Sequence, residues 1–335
     1  MKAVLFKTKE EPLQVAEVET PAPAGGEILI QLKYAALNHL DLWIWQEQIL
    51  DKPVITGADG SGIVTAVGKE VDQTWVGKEV VVNPSLYWGA NEKITGPAYQ
   101  ILGNPTNGTF AEYIKIPQEY VFEKPAHLNL REAAALPLAA LTAYRALFTK
   151  AQITSSDKIL VTGIGGGAAL FLLQMARAIG ATVYTTSSSP EKIQKAISLG
   201  AEGGFNYHDK SWVQQAKEMA GGFDVIIDSA GGDGFAQLTE VANPGARIVL
   251  FGRTAGNINN LQPKIIFNKQ LHIMGTTMGS ETEFKSMLAF YEKHRLRPVI
   301  DSEFNLEAIS DAREHMKKGN HFGKVLIRIT EGLKA

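Results

Sequence analysis

The sequence predicts an α/β chain in which a mainly β domain is followed by a doubly wound parallel sheet. Three observations carry this. The first is Lys158–Ala181, KILVTGIGGGAALFLLQMARAIGA, where apolar Ile159-Leu160-Val161 runs into Gly163-Ile164-Gly165-Gly166-Gly167 and then into helix-forming Ala168–Ile179. It reads as a buried parallel strand, a glycine turn and a helix that Gly180 closes. The second is the alternation of helix-like and strand-like stretches beyond Pro125, the pattern of a parallel sheet. The third is a succession of short β-branched or alternating stretches, separated by Pro and Gly turns, before Lys124.

In chain order, the β stretches are Lys2–Phe6, Glu27–Ala35, Gly62–Val67, Glu79–Asn83 and Phe110–Ile116, with turns at Pro21-Ala22-Pro23, Gly25-Gly26 and Gly77-Lys78. Gly60-Ser61-Gly62 and Gly68 mark bends. Residues 83–108 form a long irregular stretch that carries Tyr87, Trp88 and Tyr99; loops of that length are usually functional or relic. Leu130–Ala135 and Leu138–Lys150 read as helices with Pro137 between them. After the glycine-turn unit come the strand Thr182–Thr185, the helix Pro190–Leu199, the strand Phe205–Tyr207, the helix Trp212–Met219 and strands at Phe223–Ile227, Arg247–Phe251 and Leu271–Met274. A last helix, Glu281–Arg295, and a last strand, Lys324–Ile329, follow, the strand returning to the first domain.

Composition narrows the function classes. At 335 residues the chain holds two cores, and 45% hydrophobic with 20% charged residues describes a soluble globular protein. A net charge of −2 supplies no basic field for nucleic acid. The absence of cysteine removes disulfides, thiolate metal sites and cysteine nucleophiles. MKAVLFKTKEEPLQV has no long apolar core, and Ala133–Ala143, the longest apolar run, falls short of the roughly 18 residues of a membrane span. A cytoplasmic protein is expected.

The glycine turn points to a dinucleotide. Two registers of the G-x-G-x-x-G/A pattern fit, Gly163-x-Gly165-x-x-Ala168 and Gly163-x-x-Gly166-x-x-Ala169. Glycines admit a pyrophosphate close to the backbone, where the amides opening the helix meet its charge. An NAD site carries Asp or Glu about 20 residues beyond the first glycine. Here that count lands in Thr182–Thr186, followed by Ser187-Ser188-Ser189, with Lys192 beyond and no carboxylate. Hydroxyls and a cation suit the 2′-phosphate of NADP(H); the plainer reading is that the serines cap the helix from Pro190.

Motifs spread along the chain resemble those of the medium-chain dehydrogenase/reductase superfamily. They are Asn38-His39-Leu40-Asp41, Gly57-Ala58-Asp59-Gly60-Ser61-Gly62-Ile63-Val64 leading to Val67-Gly68, Gly108-Thr109-Phe110-Ala111-Glu112-Tyr113, Leu136-Pro137 with Leu141-Thr142-Ala143-Tyr144, and Gly323-Lys324-Val325. The likeness is greatest to zinc-independent quinone oxidoreductases, with some likeness to alcohol dehydrogenase-like proteins. It implies a GroES-like catalytic (substrate) domain over residues 1–124 and 281–335 and a Rossmann NADP-binding domain over 125–280. Zinc-dependent relatives place a cysteine, a His-Glu pair and a second cysteine where this chain has Asn38, Ala58-Asp59 and Leu138. No such set of nitrogen or sulfur donors survives, so a metal-free protein is expected. The 83–108 stretch stands where relatives hold a four-cysteine structural zinc.

The resemblance further implies that Gly163, Gly165, Gly166, Gly167 and Ala168 cradle the cofactor and that Ser187, Ser188, Lys192 and Tyr207 surround its adenosine phosphate. Ala230 and Gly231 would pass near the ribose, Phe251, Gly252 and Arg253 lie at the end of the fifth strand, and Gly275-Thr276-Thr277 flank the nicotinamide. Asn38 and Thr142 would lie beside the ring and substrate, with Asp41 as a further catalytic candidate. Trp43, Trp45, Tyr87, Trp88 and Phe267 suit an aromatic pocket. The expected reaction is hydride transfer from NADPH to a quinone or an α,β-unsaturated carbonyl. The alternatives are an aldehyde or alcohol dehydrogenase and a non-catalytic NADPH-binding protein. A homodimer paired through the strand at Leu271–Met274 is the expected assembly.

Overall fold

The computed structural model describes residues 1–329. It divides into two compact units, Met1–Leu141 with the described residues from Gly279 onward, and Thr142–Met278.

The first unit is built on Glu27–Ala36, EILIQLKYAA, whose Ile28, Ile30 and Leu32 are fully buried. This strand pairs antiparallel with Asp59–Val67, Tyr113–Pro117 and Lys324–Arg328, and the sheet continues through Glu79–Val82 to Val121–Glu123 on one side and Ile300–Asn305 on the other. Its core adds Val64, Val80, Val82, Phe110, Val325 and Ile327. Gly62 is where the pairing demands glycine, since a Cβ there would lie 2.1 Å from the Gln31 carbonyl oxygen. A separate three-stranded sheet joins Lys2–Thr8 to Gln14–Glu17 and Ile49–Ile55. The return of the C-terminal strand sets Lys324 next to residues near the start of the chain.

Residues 125–141 lie in the first unit, where the sequence reading grouped them with the second. Local hydrogen bonds give the reason: Ser61 Oγ donates to the Leu130 carbonyl at 2.6 Å, and the Leu138 amide donates to Asp59 Oδ1 at 2.7 Å. Both expected helices form, the first over Leu130–Ala133 and the second starting one residue early, at Pro137 itself. This residue opens the helix Pro137–Tyr144, as proline at a first helical position is free to do, and Arg145–Lys150 continues as a π-helix. The helix His39–Glu47 escaped prediction because its apolar residues form no clear stripe. The strand Ile300–Asn305 and the helix Ile309–Lys317 were likewise unread.

The second unit is a six-stranded, wholly parallel sheet. Its strands are ordered Gly203–Asn206, Thr182–Ser187, Lys158–Val161, Phe223–Asp228, Ala242–Leu250 and His272–Gly275. Numbered along the chain this is 3-2-1-4-5-6, the doubly wound order with its switch point beside the first strand. The predicted strands hold with shifted ends: Tyr207 and Phe251 fall just beyond theirs, and Leu271 just before. Among the described residues no helix is long and apolar enough to cross a membrane.

Candidate active site

In the second unit, the parallel sheet gathers the predicted cofactor residues at one edge. Each strand delivers its carboxyl end to a loop that carries one group of them, where open α/β sheets bind ligands. After Lys158–Val161 the chain turns at Gly163 and Gly165, both in the left-handed region with φ of 66° and 122°. Gly166 then caps the helix Gly167–Ala178, which has no side-chain cap of its own. Ala168 is half-buried and Ala169 is buried, so the packing accepts the methyl group at that register position. The Gly163 and Ile164 amides donate to the Thr186 hydroxyl and carbonyl at 3.3 and 2.9 Å, tying the turn to the next strand end.

That next strand ends without a carboxylate, at buried Ser187. Ser187 Oγ accepts from the Ser189 amide at 3.1 Å, and Ser189 Oγ from the Lys192 amide at 3.3 Å, so Ser189 caps the helix Pro190–Ser198 and Ser187 braces it. Ser188 stays exposed. The Lys192 side chain crosses the glycine turn: a Cβ on Gly165 would lie 2.8 Å from its Cδ and 3.1 Å from its Nζ. Tyr207 is exposed, with its ring 4.8 Å from that of His208.

Sequence reasoning missed Asp228, which ties two of the loops together. Its Oδ1 accepts from Thr162 Oγ1 and its Oδ2 from the Gly231 amide, both at 2.7 Å. Burial raises its carboxyl above the usual range, against the pull of these donors. The Ser229 amide in turn donates to Thr162 Oγ1 at 3.3 Å. Ala230 is half-buried beside Gly231. Phe251 and Gly252 are half-buried and Arg253 is exposed; a Cβ on Gly252 would lie 2.1 Å from the Ser229 carbonyl oxygen. The Thr276 amide donates to the Leu250 carbonyl at 3.0 Å, while Thr276 Oγ1 is buried with no partner among the described residues. An orphaned hydroxyl and amides opening a helix beyond a glycine turn, on one sheet edge, fit a dinucleotide. Thr142, the first residue of this unit, is buried, with its hydroxyl 4.0 Å from Met278 Sδ.

In the first unit, Asn38 precedes the helix His39–Glu47, and its amide donates to Asp41 Oδ2 at 2.7 Å. Asp41 sits in the first turn, where a carboxylate suits the positive end of a helix. Burial nevertheless pushes its carboxyl up to about 7, with neighbouring Asp59 adding to the shift and the Asn38 amide and Lys324 opposing it. Burial also lowers the pKa of His39, and Lys324 adds to that. Asn38 Nδ2 donates to Asp59 Oδ2 at 2.9 Å. Lys324 Nζ donates to Asn38 Oδ1 at 2.7 Å and to Asp59 Oδ2 at 2.8 Å. Asp59 is fully buried and Lys324 is 3% exposed.

This is the position at which zinc-dependent relatives were expected to carry ligands. The residues present do not fit the metal: the Asn38 carboxamide and the Asp59 carboxylate face a lysine ammonium, and the Leu138 backbone amide faces Asp59. Among the described residues no group of three or more His, Cys, Asp or Glu forms a metal site. The 83–108 stretch is held instead by side-chain contacts. The Trp88 ring meets Tyr99 edge-on at 5.5 Å, Trp88 Nε1 donates to the Asn91 carbonyl at 3.1 Å, and the Tyr87 amide donates to the Tyr120 hydroxyl at 2.9 Å. Trp45 and Trp88 are buried packing residues, and Phe267 is an exposed residue of the second unit.

The chain is similar to known proteins over nearly its full length. The family described as "Alcohol dehydrogenase GroES-like domain" matches residues 24–126, and "Zinc-binding dehydrogenase" matches residues 167–293. The zinc-type alcohol dehydrogenase-like protein YogA of Leptosphaeria maculans is 35% identical, with 95% of each chain covered. A quinone oxidoreductase of Mus musculus is 28% identical over 93% of this chain and 92% of its own. A crystal structure of an NAD-dependent alcohol dehydrogenase superposes with a TM-score of 0.93 at 35% identity, covering 98% of this chain and 100% of that one. With this likeness added to the doubly wound sheet and the GroES-like unit, the chain belongs to the medium-chain dehydrogenase/reductase superfamily of oxidoreductases.

Proposed function

We propose that the protein is a zinc-independent, NADPH-dependent reductase of quinones or α,β-unsaturated carbonyls. The observation that carries this reading is the Asn38–Asp59–Lys324 cluster, which offers hydrogen bonds and a fixed ammonium where a Lewis acid would need metal ligands. Without a Lewis acid to polarise a simple carbonyl, the favoured acceptor is one whose conjugation spreads the incoming negative charge. Bound NADPH supplies the hydride. The protein's task is then to hold the substrate, donate hydrogen bonds to the developing enolate or phenolate oxygen, and admit one proton. Asn38 in the first unit and Thr142 in the second are the proposed donors, with Asp41 bracing Asn38 through its backbone amide.

NADPH over NADH is supported by the strand end at Ser187, which lacks a carboxylate, and by the Lys192 side chain lying across the turn. The second unit is the proposed NADP-binding domain, with contacts from Gly163 to Ala168, Ser187, Ser188, Lys192, Tyr207, Ala230, Gly231, Phe251 to Arg253 and Thr276. The first is the proposed substrate domain. Among the described residues the strand His272–Gly275 has a neighbour on one side only, which supports a homodimer paired along that edge. The same reading takes the enzyme to be cytoplasmic, in keeping with a chain free of cysteine. The second reading, an alcohol or aldehyde dehydrogenase, is favoured by the names of several relatives, two of them NAD-dependent. A screen of NADPH and NADH oxidation against quinones, enals, enones and simple aldehydes separates the two. Turnover of conjugated acceptors with NADPH is expected, and equal rates with NADH would overturn the cofactor assignment.

A further inference from the structure

The contacts of Lys324 leave no freedom to the Asn38 carboxamide. An ammonium only donates and a carboxylate only accepts, so Oδ1 must face Lys324 Nζ and Nδ2 must face Asp59 Oδ2. The amide therefore has one orientation, chosen by its neighbours. One Nδ2–H is spent on Asp59, and no described residue accepts the other. The positive charge against Oδ1 also draws electron density toward the carbonyl side and strengthens the remaining N–H as a donor. The cation is itself immobilised, because Asp59 Oδ2 holds it at 2.8 Å while Asp59 Oδ1 is pinned by the Leu138 amide at 2.7 Å. Asn38 and Leu138, at two of the positions where metal ligands were expected, thus join with Asp59, beside the third at Ala58, in one hydrogen-bonded network that contains its own cation.

We propose that Lys324 is a positioning residue, which orients and polarises the Asn38 carboxamide so that its remaining N–H binds an oxyanion, the enolate or phenolate oxygen of the substrate. The inference rests on the reading of Asn38 as the substrate donor. It goes beyond that reading by assigning the donor's direction and strength to a residue 286 positions away along the chain.

Lys324→Met alone would leave Asp59 buried without its counter-charge and is expected to destabilise the first unit. The diagnostic variant is therefore the neutral pair Lys324→Met with Asp59→Asn. There Asn38 Oδ1 is free to turn and accept from the new amide, which redirects the Nδ2–H groups without leaving a buried charge. Lys324→Arg keeps both the cation and the donors. The probe is 4-nitrophenol, whose phenol and phenolate forms absorb at different wavelengths, titrated with oxidised cofactor present. The wild type is expected to bind the phenolate in preference to the phenol. The neutral pair should bind phenolate about tenfold to a hundredfold more weakly, the worth of a charge-assisted hydrogen bond. Lys324→Arg should stay within severalfold of the wild type. Cofactor affinity and thermal midpoint of the neutral pair should be unchanged, and with a turned-over substrate its kcat should fall while KM for the cofactor holds. Phenolate bound equally tightly by the neutral pair, or a wild type that prefers neutral phenol, would overturn the proposal. A wild type that reduces no carbonyl yet binds phenolate in a Lys324-dependent way would overturn the reductase reading and leave this inference standing. Turnover combined with phenolate binding indifferent to Lys324 would do the reverse.

Discussion

Asp41→Asn should remove a pH-dependent loss of stability from the first unit. The Asp41 carboxyl is buried and titrates at about 7 in the folded chain, against an ordinary value of 3.8. Burial is the main cause; the Asn38 amide at 2.7 Å and Lys324 offset only part of it. An acid whose folded pKa is raised binds its proton more tightly folded than unfolded. Its contribution is therefore most favourable below pH 3.8 and is lost as pH rises, until the folded group ionises near 7. At 1.36 kcal/mol per pH unit the whole loss is about 4 kcal/mol, of which about 2–3 kcal/mol falls between pH 5 and pH 8. Asparagine keeps an acceptor for the Asn38 amide and has nothing to titrate. The assay is urea unfolding followed by tryptophan fluorescence, which reports mainly on the first unit because Trp43, Trp45, Trp75 and Trp88 lie there and Trp212 alone lies in the second. From pH 5 to pH 8 the variant should gain about 2–3 kcal/mol relative to the wild type. Parallel stability curves for the two proteins across that range would refute a raised Asp41 pKa.

Other substitutions test the cofactor edge and the sheet. Lys192→Ala should weaken NADPH binding by about tenfold or more, with a smaller effect on NADH and a shallower salt dependence, by fluorescence titration. Thr162→Val deprives buried Asp228 of a hydroxyl donor and the Ser229 amide of its acceptor. It should cost about 1–3 kcal/mol in denaturant unfolding of the second unit. Gly62→Ala forces a methyl group against the Gln31 carbonyl and should lower first-unit stability by about 1–3 kcal/mol; a thermal midpoint equal to the wild type would mean the two strands separate at little cost.

Much of the parallel sheet is legible locally. Ile159-Leu160-Val161 and Val225-Ile226-Ile227 are apolar because both faces of a central parallel strand are covered, and the alternation of strand and helix is written in successive residues. The glycine turn was legible for the same reason: its left-handed φ values are a demand on single residues. The strand Ile300–Asn305 and the helix His39–Glu47 were not, because each owes its form to neighbours supplied by distant segments. Ile300–Asn305 pairs with Lys324–Arg328, and Trp45 in the helix bonds through its indole to Thr56 Oγ1 at 3.2 Å. Ser187–Ser189 illustrate a partial reading. Their capping of the helix from Pro190 was one of two readings, and only the backbone decided that Ser189 makes the cap, braced by Ser187.

By itself the sequence determined the α/β class, the glycine turn with its missing carboxylate, and the loss of metal donors at Asn38, Ala58-Asp59 and Leu138, since each depends on residue identity at short spacing. The tertiary structure alone decided what stands among those three positions. Lys324 looks in the sequence like any lysine opening a strand, and Asp228 like the end of one. Long-range strand pairing buries both, and a buried charge must find partners. The fold answers that demand by closing Lys324 onto Asn38 and Asp59, and Asp228 onto Thr162 and Gly231.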